Sequence, residues 1–211
     1  MLDFITINTH SSIKMTAEKT VYFDPFKITD ESHDADIVFV THEHFDHFSP
    51  DDIALVAKED TVLVVPESMK QKAAEACVKS ENIVCLKPCE TCEICGIKVE
   101  TVPSYNTNKP MHPKANGWLG YIVTIADMRV YVAGDTDATE EAEAVVCDAA
   151  MIPIGGTYTM NTEEAAALIN KMKPKYALPT HYGDIVGEAT DGIDFAVDVD
   201  PGIETVLKMK I

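Results

Sequence analysis

Three histidines and an aspartate able to ligate a transition metal fall within six positions: His42, His44, Asp46 and His47. Imidazole and carboxylate are the ligand types that suit Zn, Mn or Fe. The run before them, Ile37-Val38-Phe39-Val40, is apolar and rich in β-branched residues, as expected of a strand buried on both faces. If the chain stays extended past Thr41, His42 and His44 point to one side, because side chains alternate along a strand. Asp46 and His47 leave that line at the turn that Ser49-Pro50 closes. Two imidazoles on one side, with a carboxylate–imidazole pair beside them, can seat two adjacent cations.

Three further candidates stand at the end of an expected strand or in the loop that follows it. They are His112, Asp135 within Gly134-Asp135-Thr136, and His181 within Thr180-His181-Tyr182-Gly183. His112 belongs to a stretch, Thr101 to Ala126, that contains no acidic residue in a chain with 35 Asp and Glu. The core of that stretch, 103–114, is turn-forming and long for a loop without function. Hydrophobic patterning predicts strands over 3–7, 12–15, 20–24, 37–40, 61–65, 82–86, 119–125, 129–133, 149–154, 176–179 and 204–210. Helices are expected after the Ser49 cap with Pro50 first, over 67–79, over 162–173 with Asn161 and Glu164 as a capping pair, and over 191–199. Two strand-rich halves that each carry helices are compatible with an α/β sandwich of two sheets covered by helices.

The 211 residues are expected to form a single domain, 1–211, with an ordinary globular composition of 46% hydrophobic and 25% charged residues. No apolar run is long enough to span a bilayer, and the N-terminus lacks the basic and apolar regions of a signal peptide, so a cytoplasmic location is expected. A net charge of −18 argues against nucleic-acid or anionic-membrane partners. It is compatible with a small anionic substrate at a locally positive site, and self-association is left open. Cys85, Cys89, Cys92 and Cys95 are close in sequence, but Thr91–Ile94 and Ile97–Glu100 read as strands around a Cys95-Gly96 turn. A hairpin would spread these thiols instead of converging them, so reduced, incidental cysteines are expected.

The segment Thr41-His42-Glu43-His44-Phe45-Asp46-His47 resembles the HxHxDH motif of the metallo-β-lactamase superfamily. The likeness extends to Asp24-Pro25, Tyr105-Asn106, Gly134-Asp135-Thr136, Gly155-Gly156-Thr157-Tyr158-Thr159-Met160 and His181-Tyr182-Gly183. It is similar to the lactonase-like branch, which contains ascorbate-phosphate lactonase and the phospholipase D that cleaves N-acyl phosphatidylethanolamines. His10-Ser11-Ser12 resembles a His-Ser element of that branch, and His10 reads as a turn or supporting residue, not a ligand. The resemblance implies a four-layered αββα fold and a dinuclear site, with Zn or Mn the expected ions. One ion would take His42, His44 and His112, the other Asp46, His47 and His181, with Asp135 between them.

Two ions roughly 3.5–4 Å apart can share and acidify one water, which then attacks an ester, lactone or phosphoester. That chemistry makes Asp46 and Asp135 catalytic as well as ligating, and it leaves the site net positive, which favours an anionic substrate. Lys109 and Lys114 would add to that field. Tyr105 and Tyr158 are candidates to stabilise an oxyanion, and Asn106, Thr157 and Tyr182 to orient the substrate. A di-iron reductase would need an acidic residue where His44 stands and a flavin domain; a nuclease would need an inserted domain that has no room here. The non-catalytic alternative, a metal-binding regulatory or scaffold protein, would be favoured by a missing ligand.

Overall fold

The computed structural model describes residues 2–210. The first half of the chain builds one sheet in sequence order: β1 (Ile5–Thr9), β2 (Ser12–Thr16), β3 (Thr20–Phe23), β4 (Ala35–Phe39), β5 (Ala57–Pro66) and β6 (Ile83–Leu86). β1 to β3 run antiparallel and β3 to β6 run parallel. The second half builds the other sheet, again in sequence order: β7 (Thr91–Ile94), β8 (Ile97–Pro103), β9 (Leu119–Ile125), β10 (Met128–Val132), β11 (Ala149–Pro153), β12 (Tyr176–Thr180) and β13 (Glu204–Thr205). Here too an antiparallel meander gives way to parallel strands from β10 onward.

The period-2 alternation of strand side chains builds the layers. In β4, Ile37 and Phe39 join the core between the sheets, where Phe23 and Phe39 stack at 4.9 Å. Val38 and Val40 turn the other way, to Ile53 and Val56 of α1 (Pro50–Val56). On the far side, Tyr131, Ala150 and Ile152 pack against Ala165, Ala166 and Ile169 of α3 (Thr162–Met172), and Phe195 of α4 (Asp191–Asp198) closes the same layer. A short α2 (Glu140–Glu143) lies between β10 and β11 in sequence. The result is a helix–sheet–sheet–helix sandwich, the α/β architecture anticipated from the motif. Ser49 caps α1 by accepting from the Asp52 amide at 3.3 Å. Asn161 and Glu164 cap α3 reciprocally at 2.8 and 3.0 Å.

Two expected elements differ. The helix over 67–79 is broken into 3-10 turns at Glu67–Met69 and Lys72–Glu75, with Ala76 extended. Its buried side is Met69, Ala73 and Ala76, one large side chain and two methyls, too little apolar surface to hold a continuous helix without a side-chain cap. The strand over 204–210 pairs only at Glu204–Thr205, followed by one further bond from the Val206 amide to the Ala177 carbonyl. The next group on β12 in that phase is Pro179, which has no N–H to donate, so the ladder stops. The four cysteines between 85 and 95 are spread over β6 at the edge of one sheet (Cys85), the connection to the other sheet (Cys89) and the β7–β8 hairpin (Cys92 and Cys95). The metal-ligating clusters among the described residues contain no cysteine. No helix of the described residues is long and apolar enough to cross a membrane.

Candidate metal centre

Loops following β4, β8, β10 and β12 and the β1–β2 turn meet at one edge of the sandwich. They carry His42 to His47, Asn106 to His112, Asp135, His181 and His10, respectively. All seven ligand candidates come together here. His42 Nε2 lies 3.0 Å from His44 Nδ1, and these two with His112 form one group whose ligating atoms lie within 4.8 Å of one another. Asp46, His47 and His181 form a second such group, which also includes His10. The Asp135 carboxylate faces both. Its Oδ2 is 3.2 Å from His112 Nε2, 3.1 Å from His181 Nε2 and 4.0 Å from His42 Nε2, and its Oδ1 is 3.3 Å from His47 Nε2.

Whether these residues fit a metal is decided by what else they bond to. His47 Nε2, His112 Nε2, His181 Nε2 and Asp135 Oδ1 are buried and have no hydrogen-bond partner, although they converge on one point. Leaving four such atoms unsatisfied would each cost about 1–3 kcal/mol, which a bound cation removes. The opposite ring nitrogens of His47 and His112 are held, as is Nδ1 of His42. His47 Nδ1 donates to Asp24 Oδ2 at 2.6 Å, His112 Nδ1 to Asn106 Oδ1 at 2.8 Å, and His42 Nδ1 to Thr41 Oγ1 at 3.0 Å. The Thr41 hydroxyl in turn donates to Asp24 Oδ2 at 2.7 Å. Each contact pins the proton on Nδ1 and presents the Nε2 lone pair to the centre, the arrangement that orients histidine ligands in metal sites.

The electrostatics follow from burial and close carboxylates. Burial pushes His42 well below the ordinary imidazole value, so it sits neutral, the ligating form. Burial is the largest single influence on His47 and His181 and opposes their charge, but Asp135 together with Asp24 at His47, and together with Asp46 at His181, holds both rings above the ordinary value. Burial likewise opposes charge on Asp135, yet His181 and His47 keep its carboxyl well below the usual carboxylate range. Asp135 and its neighbours thus favour positive charge at His47 and His181, a charge that a bound cation would supply in place of protons.

Supporting roles appear that the spacing alone did not show. His10 Nε2 bonds Asp46 Oδ2 at 3.0 Å and its ring lies 3.7 Å from that of His181, so it orients one ligand and walls another. His10, Asp24 and His181 all adopt left-handed backbone conformations, with φ of 51°, 44° and 59°. Such strain in non-glycine residues is held in place only by dense surrounding contacts and tends to gather at functional sites. Trp118, the single tryptophan, forms a floor 4.9 Å from the rings of both His42 and His44. Its position at the head of a strand was the only sequence signal.

The other site candidates are scattered. Tyr158 lines the cavity beside His44, Asp46, His112 and Asp135. Asn106 does not reach substrate space: its carbonyl holds His112, and its amide donates to Asp137 Oδ1 and the Tyr158 carbonyl. It is a positioning residue for a ligand. Tyr105 turns away, its hydroxyl donating to Glu141 at 2.8 Å while Lys114 Nζ sits 2.6 Å from the same carboxylate. Lys109 is bound to Asp137 at 3.0 Å, with Glu164 at 3.8 Å. Tyr182 is buried in the core beneath α3 and α4, and Thr157 is exposed outside the cavity lining. Both lysines, in short, are already paired with carboxylates.

Residues 4–181 match the β-lactamase superfamily domain. The chain belongs to the metallo-β-lactamase superfamily. Within it, a UPF0173 metal-dependent hydrolase of Methanoregula boonei is 31% identical over 202 residues, covering 90% of this chain and 87% of that one. A solved metal-dependent hydrolase of Parabacteroides distasonis is 31% identical with a TM-score of 0.79, covering 98% and 93% of the two chains. Igni18, a metallo hydrolase of Ignicoccus hospitalis, shares the fold at 18% identity, with a TM-score of 0.77 and coverage of 97% and 94%. This superfamily member is a metal-dependent hydrolase whose histidine–aspartate cluster can bind metal.

In this hydrolase Asp24 touches no ion seat directly but anchors both His47 and Thr41. Asp24→Ala is expected to weaken the affinity of the ion held through His47 by about 10–100-fold. Competition with a chromophoric chelator measures this. An unchanged affinity would mean that His47 is oriented by its other neighbours alone.

Proposed function

We propose that this protein is a dinuclear hydrolase that cleaves a small ester, lactone or phosphoester bearing negative charge near the scissile bond. The observation that carries the reading is the position of Asp135, whose two carboxylate oxygens face nitrogen ligands of both clusters. His42, His44 and His112 would hold one ion, and Asp46, His47 and His181 the other, with zinc or manganese best matched to this nitrogen–oxygen set. When bound, two such ions acidify a water and polarise the scissile oxygen. The protein's own part is positional. Asp24, Thr41 and Asn106 fix the ligand rings, His10 fixes Asp46, and Trp118 keeps bulk water from behind His42 and His44. Tyr158 lines the open side of the cavity, where its hydroxyl would donate to a substrate oxygen. Since Lys109 and Lys114 are neutralised by their own ion pairs, attraction for an anion arises from the ions, set against the two carboxylates Asp46 and Asp135.

Elemental analysis of protein purified without chelator is expected to give two divalent transition ions per chain. A matched panel of neutral and anionic esters, lactones and phosphodiesters is expected to show higher kcat/KM for the anionic members. One ion at full occupancy would remove the dinuclear reading, and equal turnover of neutral and anionic substrates would remove the charge preference. No turnover of any class at full occupancy would favour the metal-binding regulatory alternative.

A further inference from the structure

Eight large apolar side chains stand exposed among the described residues, and four of them, Phe45, Met111, Tyr158 and Ile185, line a cavity that opens onto the candidate metal ligands. They come from four separate loops: the turn after β4, the loop after β8, and those after β11 and β12. Phe45 is 69% exposed, yet it is propped edge-on against Phe26 with ring centroids 6.1 Å apart, so it stands over the cavity instead of folding onto the surface. Beyond these four, the lining consists of the ligands His44, Asp46, His112 and Asp135. In a chain with 35 Asp and Glu, the cavity wall holds no carboxylate other than two ligands, and no lysine or arginine. Large apolar side chains gathered around one opening leave hydrocarbon in water unless a ligand covers them. The cavity, about 410 Å³, is of the size that holds a small molecule, within the usual ~300–1,000 Å³ range.

We propose that the substrate is amphiphilic: its hydrolysable polar group lies at Asp135, and an alkyl or aryl group attached to it lies against Phe45, Met111, Tyr158 and Ile185. This rests on the hydrolase reading above and adds what that reading lacks, the chemistry of the substrate's far end. Specificity within the substrate class then follows hydrocarbon length, not a second charge. Lys109 and Lys114, the cations of the loop over the site, are absent from the lining and bound to Asp137 and Glu141.

The test uses n-alkylphosphonates from methyl to octyl, which carry a constant metal-seeking head and are not hydrolysed, titrated calorimetrically into zinc-loaded protein. Affinity is expected to rise about two- to fourfold per methylene until the cavity is filled. In Ile185→Ser and Phe45→Ser, singly and combined, the rise is expected to flatten while methylphosphonate affinity and zinc content hold. An affinity independent of chain length in the wild type overturns the proposal. So does a rise that survives in the double variant, or failure of the octyl member to bind. A parallel series of acyl esters, lactones and anionic phosphodiesters with alkyl groups of about one to eight carbons separates the two readings. If phosphonate affinity climbs with length but nothing is hydrolysed, the hydrolase reading fails and the apolar subsite stands. If esters are cut with no dependence on length, the converse holds.

Discussion

Asp135→Ala is expected to empty both ion seats and reduce turnover by at least about 10³-fold, beyond the effect of removing a single transition-state hydrogen-bond donor. The expectation rests on one carboxylate serving two clusters. Its Oδ2 stands 3.1–3.2 Å from His181 and His112, and its Oδ1 stands 3.3 Å from His47. Among the described residues no other side chain takes both positions; Asp46 approaches His10, His47 and His181. Asp135→Asn separates charge from shape, since the amide nearly reproduces the volume while removing the negative charge that draws ions and imidazolium rings together. Metal content by mass spectrometry of the native protein and kcat/KM on any identified substrate give the readout. Two ions bound with near wild-type affinity in the alanine variant would show that the clusters act independently and that Asp135 is not shared.

Gly155→Ala is expected to be the most damaging substitution that alters no polar group. A methyl at this position would meet the carbonyl oxygen of His181 closer than any real Cβ contact, and would lie 2.6 Å from Val186 Cγ2 and 3.3 Å from His181 Nδ1. Val186 can rotate, but the carbonyl belongs to the backbone that holds His181 at positive φ, and it cannot move without moving the ligand. Overpacking of this kind costs about 1–3 kcal/mol, which lowers Tm by about 2–4 °C per kcal/mol in a chain of this size. The displaced ring should also weaken the ion it ligates by about 10–100-fold. Thermal unfolding with and without added zinc distinguishes the two effects, because a lost ligand shrinks the metal-induced rise in Tm. Wild-type Tm together with wild-type zinc stabilisation would mean that the loop at Gly155 yields freely, and that this contact does not set His181.

The candidate ligands that the fold brings together were readable in the chain because metal chemistry restricts residue type so tightly. Only a few side chains bind Zn or Mn, and three histidines and an aspartate crowd into positions 42–47 behind a buried strand. Local rules were equally legible where they are truly local, as in the caps of α1 and α3 and the alternation that splits β4 between two cores. The roles of the surrounding polar residues were not legible, because they depend on partners far away in sequence. Asn106 looks like a substrate residue until it meets Asp137 and the Tyr158 carbonyl, 31 and 52 positions on. Lys109 and Lys114 look like an anion clamp until the fold brings Asp137 and Glu141 to them, 28 and 27 positions away. His10 reads as a supporting residue, but what it supports, Asp46, is brought to it across 36 residues. A loop residue's direction is set by whichever long-range contact wins, and charge, spacing and composition carry no record of that competition. The apolar rim of the cavity is the extreme case: its four side chains come from four loops, and only the closing of two sheets onto one edge makes them neighbours.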